Sequence, residues 1–197
     1  MADTRGREIF GKYKKYLNIG VTICCRLFSQ KKRKKLLEKY RYKPGKLGIG
    51  IRYILLKSLA KECGDNVSIF QGVFLLNPEN ACFGNKVSIQ PMCYIECGLD
   101  EIGLIVGNDV SIGHGTTIMA TSHVFDGPGV IKNMGLDKKT VQIKDNVWIG
   151  AKVTVLYGVT IEEGCVVGAG SLINKSTKKD GVYVGTPARL IRERKIQ

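Results

Sequence analysis

The chain has 197 residues, of which 44% are hydrophobic and 24% charged, a composition typical of one soluble globular domain with a modest extension. No apolar run reaches the roughly 20 residues of a membrane-spanning helix, and no cleavage-site pattern follows an apolar core, so neither a span nor a secretory signal is expected. The formal charge of +14 lies in residues 1–62, which carry 18 Lys and Arg against 4 Asp and Glu, whereas residues 63–197 carry 13 of each. The odd number of cysteines, seven, argues against a complete disulfide set and favours the reducing cytoplasm.

Residues 1–62 are predicted to form a basic extension that is helical or partly disordered. Apolar residues with helical spacing occur between Ile9 and Leu17, and residues 31–35 are a block of like charge. Pro44 and Gly45 interrupt the helical pattern, and residues 49–59 then have the spacing of a short amphipathic helix. This helix is expected to cover the first coil of the domain that follows, since the ends of a repeat structure must be capped.

Residues 63–174 repeat a pattern of six residues, in which an aliphatic residue is often followed by glycine and small residues lie between. A fixed period of this kind predicts a solenoid. Six residues make one short strand and a turn, so three repeats would close one triangular coil of a parallel β-helix with the aliphatic side chains inside. The clearest run is Ile143, Ile149, Val155, Ile161, Val167 and Ile173.

Two segments depart from the repeat. Residues 124–142 are polar and rich in glycine, and the period resumes after them at Ile143, so they are predicted to form a loop that projects from the wall. Long loops on a rigid scaffold are commonly functional. Residues 175–197 form a basic tail that is expected to end in a short helix.

Three segments carry a resemblance to a known family. They are residues 143–151 (IKDNVWIGA), 159–171 (VTIEEGCVVGAGS) and 185–189 (GTPAR). In this order they resemble the hexapeptide-repeat acyltransferases, and most closely the maltose and galactoside O-acetyltransferases and their relatives that O-acetylate capsular or lipopolysaccharide sugars. The resemblance covers about residues 60–194. It implies a left-handed parallel β-helix, a homotrimer with active sites between subunits, acetyl-CoA as co-substrate, a sugar acceptor, and no metal; it also implies a cis bond before Pro187.

The chain contains two histidines, and O-acetylation needs a base that takes a proton from a hydroxyl at neutral pH. His123 lies where the last coil meets the predicted loop, which is where the family has its catalytic histidine; alternatively it is a surface residue that stabilises the start of the loop. His114 lies at a turn and faces either solvent or the acceptor. Asp126 is predicted either to orient the imidazole of His123 or to contact the acceptor, although an aspartate in a loop is more often a turn former. Glu96 lies at the edge of an earlier coil, where relatives have acceptor-binding polar groups, and is also predicted to contact the acceptor.

Coenzyme A has a long pantetheine arm, which can follow a flat wall only where side chains are small. Trp148 is predicted to point outward beside this path, because the inward positions Val147 and Ile149 flank it. The family has basic residues at the nucleotide end of the coenzyme, and Lys175 and Arg189 match them; the alternative is that both are solvated tail charges. The small residues either line the coenzyme path, with free backbone groups, or simply turn the corners of the helix: Gly150, Ala151, Gly168, Ala169 and Ser171.

Other activities of this fold remain open. Serine O-acetylation and amino-sugar N-acetylation would keep the same coenzyme site. A metal site of the γ-class carbonic anhydrase type needs three histidines, and this chain has two. A non-catalytic hexapeptide protein could lose the histidine and the coenzyme-binding tail, whereas this chain retains both.

The basic extension suggests a further contact. No nucleic-acid-binding motif accompanies the charge, so nucleic acid is not an expected partner. A polybasic block beside apolar residues fits peripheral attachment to an anionic membrane, at the inner face if the protein is cytoplasmic. The alternative is a soluble helical cap with a solvated charged face. The apolar residues are Ile19, Val21, Ile23, Leu27 and Phe28.

Overall fold

The computed structural model describes residues 2–196, with side chains from Phe10 onward. The chain begins with three helices, α1 (Ala2–Leu27), α2 (Gln30–Lys39) and α3 (Gly45–Leu59). Helices α1 and α2 both pack on α3, and α3 packs on the first strands of the solenoid. The predicted cap is therefore present, and the extension is helical over most of residues 2–59 rather than partly disordered.

Residues 62–173 form the walls of a triangular parallel β-helix. The first wall contains β1 (Glu62–Cys63), β4 (Ala81–Phe83), β7 (Leu104–Val106), β12 (Val141–Ile143) and β15 (Thr160–Ile161). The second contains β2 (Ser68–Ile69), β5 (Ser88–Ile89), β8 (Ser111–Ile112), β13 (Trp148–Ile149) and β16 (Val166–Val167). The third contains β3 (Phe74–Leu76), β6 (Tyr94–Glu96), β9 (Thr117–Ile118), β14 (Thr154–Val155) and β17 (Leu172–Ile173). Single turns of 3-10 helix lie at Pro78–Asn80 and Ile131–Asn133.

The predicted repeat is confirmed by the core. Aliphatic residues of successive coils stand in register across each wall, as Ile89, Ile112 and Ile149 do in the second wall, and all three are fully buried. Glycine follows several of these residues because the coils approach closely at the corners. A Cβ on Gly113 would lie 2.5 Å from the carbonyl carbon of Gly150, which is less than the contact distance of the atoms.

Arg52 joins the helical cap to the solenoid. Its side chain is 1% exposed. Its Nε donates to the carbonyl of Ile69 (2.8 Å), and its Nη1 donates to the carbonyls of Tyr40, Arg41 and Lys43 (3.0, 3.2 and 2.7 Å). Burial lowers the pKa of this guanidinium. The three carbonyls belong to the turn that follows α2, so one side chain of α3 holds this turn and the first coil together.

The tail differs from the prediction of a short helix. Residues 181–193 form an antiparallel hairpin of β18 (Gly181–Gly185) and β19 (Ala188–Glu193). The alternating and β-branched residues of β18 pair with the free edge of β16, with Val182 opposite Val166, so the hairpin extends the second wall. The peptide bond Thr186-Pro187 in the turn is cis, as the resemblance implied.

The projecting loop is slightly shorter than predicted. Val141 and Gln142 belong to β12 and are already part of the first wall. The segment that leaves the wall is 124–140, and its base is a ribbon of β10 (Thr121–His123) and β11 (Leu136–Lys138).

Candidate active site

The ribbon at the base of the loop carries His123. In the antiparallel pairing of β10 and β11, His123 lies opposite Leu136 and Ser122 opposite Asp137. The His123 side chain is exposed, and its imidazole makes no hydrogen bond with any residue that the structure describes. Its ring nitrogens are therefore available to a ligand, on a backbone that is fixed by strand pairing.

Glu96 holds the residues that precede this histidine. Its carboxylate is 9% exposed. One oxygen accepts a hydrogen bond from the Ala120 amide (3.2 Å), and the other accepts from the Thr121 hydroxyl (2.8 Å). The predicted contact of Glu96 with an acceptor stays a prediction, while in the chain itself this carboxylate positions β10. Sequence reasoning missed Thr121, although a polar residue two places before His123 on a strand must share its face.

The loop beyond His123 is exposed. Asp126 makes no hydrogen bond with His123 within the described residues, so the predicted contact with an acceptor is its remaining candidate role. Phe125, Val130 and Ile131 are all more than half exposed. Apolar side chains concentrated on one projecting loop suggest that something covers it, either a ligand or another subunit.

The corner between the second and third walls stacks one residue of each coil. We call this set the corner column: Gln71, Pro91, His114, Ala151 and Ala169. The carbonyl of each of the first four accepts a hydrogen bond from the next coil, at 3.2, 3.0, 2.8 and 2.8 Å. His114 is exposed. It belongs to the coil before that of Ala151, and so it lies along the predicted coenzyme path.

The backbone groups of this path are only partly free, which corrects the expectation from the sequence. The amides of Gly150 and Gly168 donate to the carbonyls of Val167 and Tyr183 (both 2.8 Å), because they belong to the ladder of the second wall. The amides of Ala151 and Ala169 have no acceptor among the described residues. The corner column therefore presents two unpaired N–H groups in the last two coils of the solenoid.

Ser171 does not face the path. Its side chain is buried, and its hydroxyl accepts a hydrogen bond from the Gly185 amide (3.1 Å). The Thr186 hydroxyl donates to the carbonyl of Gly170 (3.2 Å). Both bonds attach the turn of the C-terminal hairpin to the foot of the corner column, so Ser171 has a structural role instead of the predicted coenzyme contact.

The two predicted phosphate-binding cations lie together. Lys175 and Arg189 line one groove of about 340 Å³ between the last coil and the hairpin, beside Ser176 and Tyr183. Both side chains are exposed. The arrangement is able to bind an anion, because two flexible cations face the same space.

Trp148 points outward from the second wall, as predicted. It is 58% exposed and stands in register with Ser111 and Val166, three residues before Ala151 of the corner column. An outward indole on this wall is able to contact a ligand that lies on the wall.

His123 and the corner column are separated by the width of the third wall. The segment between them, residues 115–120, contains β9, and its five residue-to-residue steps span about 16 Å when extended. Within one chain, His123 therefore does not reach the amides of Ala151 and Ala169. Among the described side chains, no group of three or more His, Cys, Asp or Glu residues comes together in a way that could hold a metal ion.

Comparisons of sequence find a family and individual relatives that match this chain. The family described as bacterial transferase hexapeptide (six repeats) matches residues 140–175. A galactoside O-acetyltransferase of Lactococcus lactis is 36% identical over 143 residues, which are 71% of this chain and 66% of the relative. The galactoside O-acetyltransferase of Escherichia coli is 30% identical over 145 residues, 72% of this chain and 68% of that protein. About a third of each relative lies outside the match.

Comparisons of structure agree with the predicted left-handed β-helix. A hexapeptide-repeat acetyltransferase of Vibrio cholerae, solved in complex with acetyl-coenzyme A, is 26% identical, with a TM-score of 0.73 over 85% of this chain and 87% of the other. A point mutant of an N-acyltransferase from Bacillus cereus, solved with dTDP-4-amino-4,6-dideoxyglucose and coenzyme A, is 26% identical with a TM-score of 0.58. This second match covers 72% of this chain and 88% of the other.

Proposed function

Because this chain belongs to the hexapeptide-repeat acetyltransferase family, we propose that it transfers an acetyl group from acetyl-CoA to a sugar hydroxyl. The observation that carries the proposal is the combination of an exposed histidine on the paired strand β10, the unpaired amides of Ala151 and Ala169, and a groove lined by two cations. The two galactoside O-acetyltransferases among the relatives support a sugar as acceptor. A capsular polysaccharide, a lipopolysaccharide or another surface glycan is the proposed product.

The proposed reaction is a direct transfer. The imidazole of His123 takes the proton of the acceptor hydroxyl as its oxygen bonds to the acetyl carbonyl carbon. The carbon–sulfur bond then breaks, and the imidazolium returns the proton to the leaving thiolate. Glu96 keeps β10 in place during this sequence through Ala120 and Thr121. Asp126 and His114 are proposed to contact the acceptor, since both are exposed beside the two halves of the site.

Acetyl-CoA is proposed to lie along the corner column. The amides of Ala151 and Ala169 would donate to the pantetheine carbonyls, and the absence of larger side chains there allows the arm to approach. Trp148 would cover the arm from the second wall. Lys175 and Arg189 would bind phosphate at the nucleotide end, since Lys and Arg make strong charge-assisted hydrogen bonds with phosphate oxygens.

We propose a homotrimer, and the placement of these parts supports an assembly with sites between subunits. His123 and the corner column occupy opposite edges of one wall, so a single chain presents two separated halves. Cyclic packing of three copies would bring the ribbon of one subunit to the column of its neighbour and form three equal sites. We place this assembly at the cytoplasmic side of an anionic membrane, reached through residues 1–62.

The decisive experiment follows thiol release from acetyl-CoA with a panel of mono- and oligosaccharides, for the native chain and for His123→Ala. The proposal predicts sugar-dependent release that falls at least about a hundredfold in the variant, the usual contribution of a general base. Release that survives in the variant would refute His123 as the base. The absence of release with every acceptor in the panel would count against the enzyme itself.

Transfer to an amino sugar is the second candidate. It is favoured by the similarity to the Bacillus cereus N-acyltransferase, whose structure contains an amino-sugar nucleotide and coenzyme A. The panel therefore includes 4-amino and 2-amino sugars beside their hydroxyl counterparts, and free serine. Faster release with the amine of a matched pair would replace the O-acetyltransferase assignment with an N-acetyltransferase.

A further inference from the structure

Helix α1 has two apolar faces, and only one of them is used by the fold. The inner face packs on α3: Leu17 and Cys24 contact the core, and Gly20 lies so close to Ile54 that a Cβ would come within 2.8 Å of its Cδ1. A second face, about a quarter turn away by helical periodicity, carries four large apolar side chains that are 47–71% exposed. We call them the outer stripe: Tyr16, Ile19, Ile23 and Leu27.

The spacing of the outer stripe shows that it is one continuous surface. Its members follow one another at intervals of three, four and four residues, which places them on a single side of the helix. The sequence had suggested Val21 and Phe28 as part of an exposed apolar group. In the structure both are half-buried, so the exposed surface is narrower and better aligned than the sequence indicated.

Cations surround this stripe. Lys12, Lys15 and Arg26 lie on or beside it by helical periodicity, and all three are exposed. In α2, which begins three residues after Leu27, the exposed cations are Lys31, Lys32, Lys35 and Lys39. By contrast, Arg33 and Lys34 are turned inward, toward the Ser58 carbonyl and the Glu79 carboxylate.

The charge of this surface selects its partner. Between residues 10 and 46, Glu38 is the only acidic residue, and it contacts Arg41. A second copy of the chain would have to place acidic residues against these cations. Its residues 1–62 are themselves basic, and its residues 63–197 carry no net charge. An anionic lipid surface matches both properties, because it accepts apolar side chains below the headgroups and attracts cations at them.

We infer that α1 lies in the plane of an anionic membrane, with the outer stripe inserted among the lipid headgroups and the flanking lysines and Arg26 at the phosphates. This inference rests on the membrane contact in the proposed function and assigns it to residues. Among the described residues, no helix is long and apolar enough to cross a bilayer. The inner face stays on the protein, because it packs on α3 and Lys14 is paired with Asp65 at 2.6 Å.

The test is co-sedimentation of the full chain with vesicles of phosphatidylcholine containing about 30% phosphatidylglycerol, compared with phosphatidylcholine alone. The variant is the pair Ile19→Ser and Ile23→Ser, which changes exposed positions and is checked by circular dichroism. The matched control is the pair Ile191→Ser and Ile196→Ser, two similarly exposed isoleucines in the tail. Thiol release with a water-soluble acceptor is measured without vesicles for all three proteins.

The native chain and the control are expected to bind the anionic vesicles, and binding should weaken with added salt. The stripe variant should bind at least about tenfold less, since full burial of one aliphatic side chain is itself worth more than tenfold. Equal binding by the stripe variant, or no binding by the native chain, would overturn the inference. A change in oligomeric state of the stripe variant would overturn it too, because a second copy would then be the occupant. The vesicle-free activity separates these outcomes from a failure of the catalytic proposal.

Discussion

Proline at Ala151 or Ala169 would remove one backbone N–H of the corner column while leaving the wall intact. The column already contains a proline, Pro91, two coils above Ala151, and its carbonyl is bonded to the next coil like those of its neighbours. The position therefore accommodates the fixed φ of proline, and the ladder does not use its amide. Alanine and proline are both small, so Ala151→Pro and Ala169→Pro test the amides with little change of shape.

The expected loss follows from one hydrogen bond in each variant. A typical hydrogen bond contributes about 0.5–1.5 kcal/mol net, which corresponds to roughly two- to thirteenfold in affinity. We expect the Kd for coenzyme A to rise by this factor for each single variant and by the product for the double variant. The melting temperature should remain within a few degrees of the native value, since no internal hydrogen bond is removed.

The assay is titration calorimetry with coenzyme A, supported by the KM for acetyl-CoA in the thiol-release assay. Gln71→Pro is the matched control, because it lies in the same column at the first coil, far from the basic groove. Its affinity for coenzyme A should be native. If the two alanine variants also bind coenzyme A with native affinity and melt normally, the amides do not hold the coenzyme and the proposed path is wrong.

Three further predictions concern the site and the core. His123→Ala and Ala169→Trp should each be inactive alone, but co-expression of the two chains should recover about a quarter of native activity. In a randomly mixed trimer, one site in four would combine an intact histidine from one subunit with an intact column from its neighbour. No recovery would show that each chain forms its own site. Glu96→Gln should lower kcat about tenfold or more with little change in the KM for acetyl-CoA, because one of the two hydrogen bonds that hold the residues before His123 is lost. A native kcat would show that Glu96 does not position the base. Burial raises the pKa of the Cys97 thiol. Iodoacetamide at pH 8 should therefore modify the exposed Cys25 and leave Cys97 unmodified until the protein unfolds. Mass spectrometry locates the label, and label on Cys97 in the native protein would contradict this prediction.

The solenoid was predictable because its information is local and repeated. Each six-residue unit contains its own inward aliphatic residue and its own turn, so Ile143 and its successors specify the wall without reference to distant parts of the chain. The loop before Ile143 was visible for the same reason, as an interruption of a regular period. The outward orientation of Trp148 also follows from strand alternation alone.

The structure of the tail and the free amides of the coenzyme path were harder to predict from the sequence. The sequence predicts that the tail, residues 175–197, ends in a helix. In the structure β18 pairs instead with the edge of β16, and no local pattern reveals that this edge is free. Small residues along the corner were identified, but whether an amide is available depends on the ladder between coils. Gly150 uses its amide there and Ala151 does not, although they are neighbours in the sequence.

The sequence by itself determined the repeat, its inward aliphatic core, the uneven distribution of charge and the residues with reactive side chains, because each of these is a property of short segments. Only the tertiary structure decided how those segments are used. It placed Glu96 under the ribbon of His123 and set His123 and the corner column on opposite edges of one wall. It also left Val21 and Phe28 half-buried while Ile19 and Ile23 are exposed. These outcomes depend on contacts between residues far apart in the chain, and such contacts leave no period in the sequence.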